Sequence, residues 1–161
     1  MNTLSEIKKK LAVPVIGAPL FIVSSPKLVI AQCSAGVIGS FPALNARPQT
    51  ALSDWIIEIK TALAAHDRAN PHRPAAPYAV NQIVHRSNDR LEKDLETCVE
   101  HKAPIVICSL GAREDVYQAI HSYGGLVLHG VINNTFAKKA IEKGASAPSG
   151  GLKTASLIRP P

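Results

Sequence analysis

Short apolar runs and amphipathic helical stretches alternate along this chain, and that alternation limits the folds open to it. The runs are Val13-Pro14-Val15-Ile16-Gly17-Ala18, Gly36-Val37-Ile38-Gly39, Tyr78-Ala79-Val80-Asn81, Ile105-Val106-Ile107-Cys108 and Leu126-Val127-Leu128-His129. Each is short, rich in Val and Ile, and apolar at successive positions, so both faces of the strand are buried. Strands buried on both faces belong to parallel sheets covered by helices. Between the runs, Leu52, Trp55, Ile56, Ile59 and Leu63 recur at helical spacing and predict one helix with a single apolar stripe, Trp55 included in the core. Ser25 followed by Pro26 predicts an N-cap and a first helical position. Leu91, Leu95, Cys98 and Val99 predict a helix from about Asn88. Val116, Ala119 and Ile120 predict another that ends at Gly124-Gly125, and a last one runs from about Thr135 to Lys143.

The predicted class is α/β with about five parallel strands. Two architectures fit: an open doubly wound sheet, and the first units of a (β/α)8 barrel, whose complete form takes about 250 residues. The first strand is followed by Ala18-Pro19-Leu20-Phe21, without a GxGxxG or a Walker loop. That counts against a dinucleotide or P-loop sheet.

Composition excludes several function classes. The 161 residues are 46% hydrophobic and 19% charged, as in a globular domain with its own core. The net charge of +6 is spread along the chain, with one tight cluster at Lys8-Lys9-Lys10, and aromatics make up only 4%. A solvated basic surface is expected, not a nucleic-acid partner. Cys33, Cys98 and Cys108 are odd in number and lack CxxC spacing, so neither a disulfide framework nor a metal site is expected. No run is long enough for a signal peptide or a membrane span, so the expected protein has no membrane partner and is cytoplasmic.

Five segments in order resemble the nitronate monooxygenase (2-nitropropane dioxygenase) family, over roughly residues 11–145. They are VPVIGAPLF with SSPKLVIAQCSAGVIGSFPALNARP, YAVNQIVHRSNDR, PIVICSLG, LVLHGV and AKKAIEKGA. The resemblance implies a partial TIM-type (β/α)8 barrel of about five βα units that uses FMN. It also implies oxidation of alkyl nitronates or nitroalkanes by O2 to carbonyl compounds and nitrite. It places the cofactor-binding residues at Ala18, Pro19, Leu20, Asn81 and His129. On that reading Ala18, Pro19 and Leu20 would edge the flavin ring through their backbone, Asn81 would both donate to and accept from its edge atoms, and His129 would reach inward. Each residue also has a structural alternative: a turn at Ala18-Pro19, a local cap at Asn81, a satisfied structural histidine at His129. His85 is expected to face water.

In the family, the catalytic histidine and the phosphate-binding glycines follow the helix that ends at Lys-Gly-Ala. Here SAPSGGLKTASLIRPP follows Ala145. The pattern is expected to stop before strand six, leaving residues 146–161 as an unrelated, disordered tail such as a frameshift or premature stop would produce. The catalytic residue then lies outside the resemblance, and weak or no activity is expected of the chain alone. Sheet edges beside the first strand and at Leu126–His129 would stay open, and a homo-oligomer could cover them. The alternatives are a non-catalytic half-barrel that oligomerises, and another FMN barrel oxidoreductase such as an enoyl reductase.

Overall fold

Strands and helices alternate as far as Gly150 in the computed structural model, which describes residues 4–150 and 155–157. In chain order they are α1 (Leu4–Lys9), β1 (Val15–Gly17), α2 (Pro26–Ser34), β2 (Ser40–Pro42), α3 (Ala51–Ala69), β3 (Ala79–Ile83), α4 (Leu91–Glu100), β4 (Ile105–Ser109), α5 (Glu114–His121), β5 (Leu126–Val131), α6 (Asn134–Glu142), β6 (Ala147–Gly150) and β7 (Ala155–Leu157). A single 3-10 turn, Ala43–Asn45, follows β2.

Strand order decides between the two architectures. β2 to β6 form a five-stranded parallel sheet in sequential order. β1 joins the segment just before β2, where Gly17 N donates to Ile38 O at 2.8 Å and Ile38 N to Val15 O at 3.3 Å. A doubly wound sheet reverses its order at a switch point, whereas a barrel never does. No reversal occurs among the described strands of the sheet.

The strand pleat separates two apolar layers. Ile16, Ile38, Ala79, Ile105, Ile107 and Leu128 share one face and pack with Ile7 of α1 and Ala76. This is the barrel interior, and α1 plugs it at the end where the strands begin. Phe41, Val80, Val106, Cys108, Val127 and Val131 share the opposite face and pack under the helices with Leu52, Ile56 and Ile59 of α3 and Val116, Tyr117 and Ile120 of α5. Burying each such large apolar side chain contributes about 1.5–3 kcal/mol.

Several boundaries differ from the sequence expectation. The second strand starts at Ser40, past the predicted Gly36–Gly39. Gly36 has φ +82° and closes α2, and Gly39 lies so near α2 that a Cβ there would stand 2.6 Å from Val29 O. Ser25 takes the extended N-cap backbone before Pro26, but its side chain makes no capping bond. Trp55 is half-buried against Phe41, ring centroids 5.6 Å apart, rather than enclosed. The pattern also continues past Ala145: β6 pairs parallel with β5, and β7 pairs antiparallel with β1. The edges expected to stand open at β1 and β5 are therefore both covered within this chain. Residues 151–154 and 158–161 of the predicted tail lie outside the described residues.

Candidate functional site

Inward-facing side chains at the C-terminal ends of the strands form a small rim. On β3 the pleat turns Ala79 and Asn81 inward and Val80 and Gln82 outward, since Ala79 packs in the inner layer, Val80 in the outer, and Gln82 Nε2 donates to Cys98 Sγ of α4. Asn81 is buried. Its Nδ2 donates to Ile107 O at 2.8 Å and to Ser109 Oγ at 2.9 Å. Both amide hydrogens are thus engaged, and turning the amide over would set its oxygen against a carbonyl. Asn81 therefore presents only Oδ1, an acceptor, where the sequence expectation had it both donate and accept. Ser109 and Gly130 complete the rim, and a Cβ built at Gly130 would lie 3.5 Å from Ser109 Oγ. Residues this small leave room for a flat ring to approach the Asn81 amide.

Ala18, Pro19 and Leu20 follow β1 at the same end, with Ala18 and Pro19 half-buried and Leu20 exposed. Ser40, next along the sheet, bonds Gly17 O through its hydroxyl. Asn45, which the sequence did not single out, holds this loop. Its Nδ2 donates to Leu20 O at 3.0 Å and Ser24 O at 2.9 Å, and its Oδ1 accepts from Ile22 N at 3.1 Å. Ser24 is fully buried and accepts from Leu20 N at 2.9 Å. Ile22 has φ +66°, a left-handed conformation that is costly for a β-branched residue. Leu20, Phe21, Ile22 and Val23 are all exposed.

His129 does not join them. It pairs with Cys108 and shares the outer face with Val127, so it points away from the interior it was expected to enter. There it is buried under α5 and shares a 2.7 Å hydrogen bond with Tyr117 through Nδ1, the rings 6.1 Å apart edge to face. Burial holds its pKa below the ordinary 6.5, so the ring is neutral at pH 7. The ring also borders a cavity outside the interior. His85 is exposed, as expected, and bonds Ser87.

The thiols offer no nucleophile. All three are buried, and burial pushes Cys33 up to about 11 and Cys98 and Cys108 up to about 12. Among the described residues no group of three or more His, Cys, Asp or Glu could hold a metal ion. Nor is any helix among them long and apolar enough to cross a membrane.

The chain matches no protein-family model and no curated protein. Solved structures do match. FabK from Thermotoga maritima is 20% identical with a TM-score of 0.69, over 90% of this chain and 42% of that one. Nitroalkane oxidase from Streptomyces ansochromogenes is 17% identical with a TM-score of 0.71, over 86% of this chain and 46% of that one. This chain thus spans less than half the length of either structure, and likeness at such identity is likeness of fold. The resemblance seen in the sequence holds at that level: the chain carries the fold of one part of the (β/α) barrels of FabK and nitroalkane oxidase.

Proposed function

We propose that the chain is the FMN-binding part of a flavin oxidoreductase that oxidises alkyl nitronates or nitroalkanes with O2, giving carbonyl compounds and nitrite. The observation that carries this reading is the inner rim, where the Asn81 amide keeps one free acceptor between the small residues Ser109 and Gly130. A bound FMN would supply the electron transfer between nitronate and oxygen. The residues present suit its ring: Oδ1 of Asn81 can accept from a ring N–H, and the backbone at Ala18, Pro19 and Leu20 can edge it. His129 lies on the other face of the sheet and is not part of this site. The phosphate grip and the proton-abstracting histidine belong, by resemblance, to segments of the family that follow Ala145. We therefore expect binding to be weak and turnover to be low or nil in this chain alone. β6 and β7 pair with the edges of β5 and β1, so a homo-oligomer would meet the outer edge of β6 instead. A cytoplasmic location fits free, buried thiols.

A second reading, an FMN barrel reductase of the enoyl reductase kind, is kept because FabK matches over as much of the chain as nitroalkane oxidase does. Titrating FMN into the purified chain, followed by quenching of flavin fluorescence, tests what both readings share. Saturable binding is expected, weakened about tenfold in Asn81→Ala, the equivalent of about 1.4 kcal/mol for one buried hydrogen bond. No binding by the folded chain, or equal binding by the variant, refutes the rim as the flavin site. Nitrite release from nitroalkanes, against NAD(P)H-dependent reduction of an enoyl thioester, then separates the two.

A further inference from the structure

Outside the barrel interior, a cavity of about 430 Å³ opens between the β4–α5 loop and α6, over the ends of β4 and β5. Its walls combine apolar side chains with lysines, and among the described residues no acidic side chain lines it. Leu110, Ile132 and Phe136 are 72%, 86% and 49% exposed, a concentration of unpaired apolar surface at one mouth. Leu110 is moreover held at φ +64°, a backbone state that a branched side chain rarely adopts.

The charges are as unusual as the apolar walls. Lys139 and Lys143 stand four residues apart along one side of α6 and its C-terminal turn, and like charges at that spacing repel. Neither has a carboxylate partner among the described ion pairs. Lys143 Nζ donates to Ala112 O at 3.2 Å, which fixes the ammonium at the cavity without neutralising it. His129 borders the same space, its Nδ1 already engaged by Tyr117. Two cations facing an apolar hollow call for a ligand with an anionic head and an apolar body.

We propose that this cavity binds a small amphipathic carboxylate, its apolar body against Leu110, Val131, Ile132 and Phe136 and its carboxylate between Lys139 and Lys143. The volume suits a short acyl or aryl acid. The cavity touches the Asn81 rim at Gly130 alone; its apolar and charged walls belong to the β4–α5 loop, the outward-facing residues of β5 and α6, and do not depend on the flavin reading.

Octanoate and 1-octanol, titrated separately into the full chain by calorimetry, provide the test. Octanoate is expected to bind about tenfold more tightly than the alcohol, through its charge-assisted contacts. That advantage is expected to shrink in high salt. The double variant Lys139→Gln/Lys143→Gln is expected to lose the preference with its circular dichroism and thermal midpoint unchanged, and Lys139→Arg/Lys143→Arg to keep it. Equal binding of acid and alcohol, no binding of either, or an undiminished preference in the glutamine variant overturns the proposal. So does competition between octanoate and FMN, which would move the acid into the barrel interior. Failure of FMN to bind leaves the octanoate result unaffected, so the two readings fall separately.

Discussion

Burial under α5 makes it costly for His129 to take a proton. The imidazole is held below its ordinary pKa of 6.5 by desolvation. In the unfolded chain the same ring protonates near that value. As pH falls below it, the unfolded state gains a proton that the folded state does not, so stability falls until the folded pKa is passed. Urea midpoints measured from pH 7 to pH 5 are expected to drop, and His129→Gln is expected to flatten that part of the curve. An unchanged slope would show that the ring protonates freely in the fold. The orientation of His129 becomes legible once strand parity is combined with the strand pairing. Strand residues alternate sides, so counting by two from Val127, whose partners Val106 and Val80 lie under the helices, sets His129 outward. The inward assignment followed the tendency of barrel sites to gather at strand ends and passed over that parity. The place of Asn81 at a strand end was legible, but the engagement of both its donors depends on Ser109 and the Ile107 carbonyl, one strand away. Contacts between strands leave no mark in a linear sequence.

Elements followed the periodicity where side-chain burial drives them. The apolar stripe Leu52, Ile56, Ile59 and Leu63 is buried along α3, and β3, β4 and β5 fall on the predicted apolar runs. Elements set by backbone approach were harder to see. Gly39 lies too near Val29 O for any side chain, and the apolar look of Val37-Ile38 hid that β2 begins later. β6 reads AlaProSerGly and has no apolar signal, because pairing with the β5 edge needs backbone groups alone. Backbone approach also makes glycines unequal. A Cβ at Gly111 would stand 2.1 Å from Val84 O, a backbone atom with little room to yield. Gly111→Ala is expected to destabilise the fold by about 1–3 kcal/mol in urea titration. Gly130→Ala, with 3.5 Å to the Ser109 hydroxyl, is expected to change stability far less. Equal costs at both positions would mean that the β4–α5 loop is not pressed against Val84.

For the whole molecule, the question is what becomes of a barrel sheet that spans only part of a ring. Parallel strands in sequential order leave two free edges, one beside β1 and one beside β5, and exposed edges recruit other chains. Here the tail supplies a strand to each. Leu128 to Val131 of β5 pair with Ala147 to Gly150, and Val15 to Gly17 of β1 pair with Leu157 to Ala155 in the opposite direction. β7 also contacts β6, which brings the two ends of the sheet toward each other. An antiparallel strand has no place in a (β/α) barrel, so this pairing departs from barrel geometry. Pro148 suits such a position, since a strand at the sheet edge can lack one N–H donor. Deleting residues 147–161 removes both covers at once. Each kcal/mol of stability so lost is expected to lower the thermal midpoint by about 2–4 °C. The shortened chain is also expected to elute as larger species whose share grows with concentration. If it stays monomeric with an unchanged midpoint, the tail strands contribute nothing to the fold, and the edges of β1 and β5 are protected by their short length alone.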